Sequence, residues 1–215
     1  MGFKALNKTD NKIYSLDYWQ KSFTNETPYC PVCGEITEIR AAGSVYMKTH
    51  FFHVKKGTYC PSIRENHSKY ELLPPTEGDT KNGEEIINWT RVNISHLYTK
   101  CKEILNDRLK YDEFSNMLAK AKVKNIWCYK NLTINTLPYV LIVNFGVYPK
   151  IDGRDEDVWY IFDKDIYGDD LFLQKKITHI WKVTESDLER IELKYINNKG
   201  TVPHYVWTYV KTFYK

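Results

Sequence analysis

Between Cys30 and Cys60 the sequence reads CPVCGEITEIRAAGSVYMKTHFFHVKKGTYC, which gathers three of the chain's five cysteines around two histidines. Cys30-x-x-Cys33, with Pro31 and Gly34 beside it, has the form of a zinc knuckle, a tight turn that aims two thiolates at one point. Zinc takes four Cys or His ligands in a tetrahedron, and a set with no open position is a structural site. A hairpin turn at Ala41–Gly43 would pair Cys33 with Phe51 and Cys30 with Val54, which brings His53 to the knuckle. Cys60 then supplies the fourth ligand. The expected metal set is Cys30, Cys33, His53 and Cys60, with Zn2+ as the cofactor. His50 is the alternative ligand. In a continuous strand His50 and His53 point to opposite faces, so one site takes both only if the strand breaks. A redox pair is the other chemistry open to CxxC, but the third cysteine and the histidines favour metal over it. Cys101 and Cys128 stand alone and read as buried small hydrophobes.

Little else in the chain has the residue types and spacing of a reactive site. A magnesium-dependent nuclease of restriction-endonuclease-like type needs an acid at a strand start and Glu-x-Lys on the next strand. Asp170, Glu192 and Lys194 offer that set if "SDLERIELKYI" is a strand. If it is a helix, Glu192 and Lys194 become surface charges, and the helical or inert reading is the expected one. "DTK" at 79–81 falls in a linker, and "DKD" at 163–165 has an acid where the lysine belongs. His96, His179 and His204 are isolated and read as structural or surface residues. No glycine-rich phosphate loop is visible, and no serine or cysteine nucleophile has an evident partner.

For nucleic acid the Cys-rich segment has a suitable mixture. Lys48, Lys55, Lys56, Arg64 and Lys69 would neutralise phosphates of DNA or RNA, and exposed members of Tyr46, Phe51, Phe52 and Tyr59 would stack on bases. The plain alternative makes the aromatics the module's own core and the lysines its solvent coat. From Ile151 to Asp170 the balance turns acidic, the usual signature of a solvated loop.

The elements that must hold these residues follow from periodicity. "FKALNKTDNKIYSLDYWQ" reads as a strand, a turn at Thr9-Asp10-Asn11 and a second strand at Lys12–Ser15. "ENHSKYELL" forms a short helix ended by Pro74-Pro75. Residues 74–85, rich in Pro, Gly and charge, read as a linker. Ile94, Leu97, Tyr98, Cys101, Ile104 and Leu105 recur at helical spacing with Asn93 or Ser95 as cap, and Phe114, Met117, Leu118 and Ala121 repeat the pattern. Strands are expected at 139–148, 157–163, 177–183 and in the C-terminal "HYVWTYVKTFY". The fold class is therefore α+β: a small N-terminal zinc-binding β-rich module (1–73), a linker (74–85), then a helical pair and a mainly antiparallel sheet domain (86–215).

Taken in order, "ALN", "YCPVCG", "HFFH", a further cysteine and "ENHSKYELL" resemble the N-terminal zinc-finger-like module of the competence protein CoiA-like family, over about residues 3–73. The matching positions are Cys30, Cys33, His50, His53, His67 and Lys69. The resemblance implies a bacterial or mobile-element setting and a nucleic-acid role. Members of that family usually continue into a nuclease domain, but this chain has neither the "RPD" nor the "ExQ" expected there, so that activity does not carry over.

Bulk composition sets the remaining bounds. A hydrophobic content of 42% with 15% aromatic residues suits a folded chain, and the net charge is a modest +4. The longest apolar run, "YVLIV", is far too short for a membrane span. The N-terminus lacks a secretory pattern, so a cytoplasmic location with reduced thiols is expected. An interaction protein, an inhibitor or accessory subunit that grips another protein through its C-terminal domain, is a third reading beside nucleic-acid binder and nuclease.

Overall fold

The computed structural model describes residues 2–71, 78–162 and 177–194, the side chains of 68–71 excepted. Its first unit is a hairpin of β1 (Lys4–Asn7) and β2 (Lys12–Ser15), antiparallel with Lys4 opposite Ser15. The turn sits where expected: Asn11 takes the left-handed backbone its side chain tolerates, and Asn7 Oδ1 accepts the Thr9 amide at 2.8 Å. Ser15 then caps α1 (Leu16–Ser22), whose Trp19 is buried edge-on against Phe51. β3 (Thr37–Arg40) and β4 (His50–His53) pair antiparallel, with Thr37 opposite His53. This corrects the register expected from a tight turn at Ala41–Gly43, because the connection spans the whole of 41–49. α2 (Arg64–Glu71) follows, as expected.

A helical layer comes next. α3 (Thr80–Ile104) starts at Asp79, whose carboxylate accepts the Asn82 amide at 3.0 Å. Residues 80–85, read from composition as linker, are therefore the first turns of a long helix. Asn93 does not cap it. Its amide nitrogen donates to the Trp89 carbonyl at 2.9 Å, and its own backbone leaves helical geometry, so it kinks α3 instead of starting it. Gly83 lets α3 lie against the 3-10 turn Ile126–Cys128, since a β-carbon there would sit 2.6 Å from Cys128 Sγ and 3.3 Å from backbone. Gly83→Ala is expected to destabilise the protein by about 1–2 kcal/mol in urea denaturation. Overpacking outweighs the roughly 1 kcal/mol that alanine adds to helix propensity. Removing the Cys128 sulfur in the same chain should restore part of the loss.

α4 (Tyr111–Val123) and α5 (Leu137–Phe145) complete the layer. Here the expected strand at 139–148 is wrong: Leu137 to Asn144 are all buried and helical, and only Val147–Tyr148 form a strand, β5. An apolar run buried on every side carries no period to separate helix from strand. Pro138 in the first turn and Gly146, at φ 109°, delimit this helix.

The sheet has the order β5-β6-β7-β8, antiparallel throughout, with β6 at Val158–Ile161, β7 at His179–Val183 and β8 at Leu188–Glu192. Within "SDLERIELKYI", Leu188–Glu192 are thus a strand where the helical or inert reading is expected, and the charged residues of β8 lie along a sheet edge among the described residues. All four β6 residues are buried because both faces of the sheet are covered. Val158, Tyr160 and Ile180 join the helical core, while Trp159, Ile161, Trp181 and Val183 pack with Cys30, Val32 and Cys60. The described residues form three layers: helices, sheet, Cys-rich module. Among the described residues no helix is long and apolar enough to cross a membrane.

Candidate metal centre

The knuckle forms because the chain doubles back within six residues. Tyr29 bridges Ile36, the Cys30 amide donates to the Glu35 carbonyl at 2.8 Å, and the Gly34 amide donates to the Cys30 carbonyl at 2.9 Å. Gly34 has φ 71°, the left-handed turn that glycine adopts at no steric cost. Tyr29 also bridges Leu6, so β1 supports the turn from behind. β4 delivers His53, and the loop entering α2 delivers Cys60. Asn66 of α2 fixes that loop by donating to the Thr58 and Cys60 carbonyls at 3.0 and 3.1 Å.

The ligand atoms of Cys30, Cys33, His53 and Cys60 all lie within 4.8 Å of one another, so these four residues can hold a metal ion. With metal–sulfur bonds of about 2.3 Å, a tetrahedron sets neighbouring sulfurs about 3.8 Å apart. Cys30 and Cys60 Sγ are 3.8 Å apart, and Cys33 Sγ lies 3.3 Å from His53 Nε2. Cys30 and Cys60 are buried, while Cys33 and His53 are partly exposed. Without an ion the thiols share their protons unequally. Hydrogen bonds from Cys30 and Cys33, and a further one from Ser62, pull the Cys60 thiol well below its usual range. Cys30 is pushed up because it donates to Cys33 and Cys60 and is desolvated. The set is biased toward a thiolate, and a cation would complete that ionisation.

His50 is not in the cluster. It is buried on the other face of β4, its Nδ1 2.9 Å from the Lys48 carbonyl and its ring edge-on to Phe52. His67 is buried against Trp159 with ring centroids 6.2 Å apart. Ser62 and Asn66 support the site without any motif to announce them, because their roles depend on where α2 begins.

The expected phosphate contacts divide. Lys48, Lys55 and Lys56 are exposed. Arg64 is held by Asp157 at 2.7 Å and Glu185 at 2.9 Å, which ties α2 to the sheet. Lys4 likewise pairs with Asp187 at 2.9 Å. The Lys69 side chain lies outside the described residues, as do Asp170, His204, the 163–165 acids and the C-terminal expected strand. Glu192 is on a strand, but it is exposed and 2.9 Å from Arg190 Nε; Lys194 is exposed just beyond. Asp79 caps a helix. Two of the acids at 151–157 serve the scaffold: Glu156 accepts the Ser186 hydroxyl at 2.6 Å, and Asp157 accepts the Lys150 amide at 2.9 Å. Cys101 is fully buried, and burial pushes its thiol far up; Cys128 is half-buried. His179 is buried edge-on to Trp181.

Compared with family models, with curated proteins and with solved structures, the chain gives no significant match.

Proposed function

We propose that this is a zinc-binding protein whose Cys-rich module contacts nucleic acid. Convergence of three sulfurs and one imidazole nitrogen within 4.8 Å carries the first half. Thiolate and imidazole donors suit zinc over the hard cations, and four protein ligands leave no position for substrate, so the ion's role is structural. The nucleic-acid half is supported by charge and exposure. No Asp or Glu occurs from Arg40 to Arg64. Within that stretch Lys55 and Lys56 are exposed and make no ion pair with a described residue, Lys48 is exposed with its charge acting on Glu156, and Tyr46 is 95% exposed. Cations open to phosphate, together with an exposed ring able to stack, are what sequence-tolerant binding requires.

Reversing Lys55 and Lys56 together to glutamate should weaken binding by about tenfold or more. It should also lower the slope of log affinity against log salt by about 2, one per lost phosphate contact. Anisotropy titrations with a labelled oligonucleotide at several salt concentrations measure both. An unchanged affinity and slope would remove these lysines, and the proposed interface, from consideration.

A further inference from the structure

Strand alternation gives the β3–β4 ribbon two faces. On the inner one Phe51 meets Trp19, His53 meets the other metal ligands, and a cleft of about 490 Å³ opens beside them. The outer face carries Glu38, Arg40, His50 and Phe52, and the Val54 amide extends the ladder by donating to the Ile36 carbonyl at 3.2 Å. Ile36, Phe52 and Val54 are exposed. The Arg40 guanidinium lies over the Phe52 ring, 3.8 Å from its centroid, and Arg40 Nε holds the Glu38 carboxylate at 2.6 Å.

The 41–49 loop stands at one end of this ribbon, and its tip is apolar: Val45 is 89% exposed and Tyr46 almost wholly so. That tip is braced. Ser44 Oγ accepts the Tyr46 and Met47 amides at 3.2 and 3.1 Å, and the Ser44 amide and Thr49 hydroxyl donate to the Ala41 carbonyl at 3.0 and 3.3 Å. Apolar side chains held out together in water mark an interaction surface, where a single scattered one does not. Lys55 and Lys56 follow at the other end, beyond the about 13 Å of extended chain from His50 to Val54. From the loop to these lysines the segment has no carboxylate.

We infer that the outer face of the β3–β4 ribbon and its loop hold a single strand of nucleic acid, with unpaired bases on Tyr46 and on the Arg40 guanidinium and phosphates at Lys55 and Lys56. The inference rests on the nucleic-acid reading above and narrows it to single strands. A ring at one end and cations at the other suit a linear polyanion that carries base and phosphate along its whole length. Aromatic rings and guanidinium planes are both surfaces on which splayed bases stack. A base in a duplex is already stacked and paired, so it reaches such a surface only after extrusion, whereas an unpaired base needs none. Phosphate contacts alone would not separate the two forms.

The test uses the full chain loaded with zinc and anisotropy titrations of three labelled probes: a short oligothymidylate, a duplex of the same length, and the same single strand with abasic sites. The single strand should bind about tenfold or more tighter than the other two. Tyr46→Ala should weaken it by about fivefold to a hundredfold, the range spanned by loss of one base–aromatic stack, and leave the duplex nearly unchanged. Arg40→Gln should likewise cost the single strand more than the duplex. Zinc content and melting temperature confirm that both variants are folded. A strand carrying 5-iodouracil, irradiated on the unaltered protein, should cross-link to Tyr46. Equal binding of all three probes, lost on reversing Lys55 and Lys56, would overturn the outer-face site and leave the nucleic-acid reading standing. A Tyr46→Ala effect equal on single strand and duplex, or cross-links confined to residues off this face, would do the same. Binding of none of the probes, or binding of phosphatidylserine vesicles in their place, would bring down both.

Discussion

Cys60→Ser should release the metal and lower the melting temperature by about 10 °C or more, the shift that a loss of several kcal/mol gives in a chain of this size. Structural zinc sites contribute about 10–16 kcal/mol of apparent binding free energy in isolated fingers, and that energy is folding energy. Here the loss spreads beyond the module. Cys60 is fully buried, and with Cys30 and Val32 it covers the face of the sheet bearing Trp159, Ile161, Trp181 and Val183. If the knuckle opens, those two tryptophans meet water, so their emission should shift to the red together with the drop in stability. A strong chelator added to the native protein should reproduce both changes, and added zinc should reverse them. Unchanged melting temperature and emission after complete zinc removal would show that apolar packing alone holds the module on the sheet.

Arg154→Met should cost about 3–5 kcal/mol, because it leaves a buried carboxylate without its cation. The Arg154 and Glu113 side chains are only 6% and 10% exposed and pair through two contacts, at 2.9 and 3.2 Å. The same guanidinium donates to the Pro149 and Arg108 carbonyls, each at 2.8 Å, so it also fixes the loop before β6 and the approach to α4. Arg154→Met combined with Glu113→Leu should recover much of the loss, since two apolar side chains of similar volume avoid the buried charge. Full recovery is not expected, because Glu113 also accepts the Lys110 amide at the start of α4, at 3.0 Å. Urea denaturation of the two single variants and the double variant measures the coupling. A cost below about 1 kcal/mol for Arg154→Met would place the pair with surface ion pairs, which contribute little.

How far these residues could be read in advance depended on how local their causes are. The CxxC turn, its glycine, the Thr9–Asn11 turn, α2 and α4 are set by neighbours a few residues away, and they fall where the spacing puts them. His53 follows from an expected register that the structure displaces. The displacement is by an even number of residues, which keeps each side chain on its own face. Buried segments were harder. α5 lies where a strand is expected, because an apolar run enclosed on every side has no polar face to reveal its period. β8 falls in a stretch open to helix or strand, since Leu188 and Ile191 fit either spacing, and only pairing with β7 decides between them. Arg154 lies in a stretch whose acids suggested solvent, and nothing nearby in sequence announces that its partner is Glu113.

By itself the sequence determined the ligand types, the order of small elements in the first third of the chain, and an acid-free basic segment. All of these follow from backbone preferences and coordination chemistry that act over short separations. Only the tertiary structure decided that the Cys-rich module lies against the sheet, that Arg64 is taken by Asp157 and Glu185, and that a cleft opens beside the ligands. Those outcomes depend on which apolar face covers which, and the chain settles that only when distant segments exclude water together.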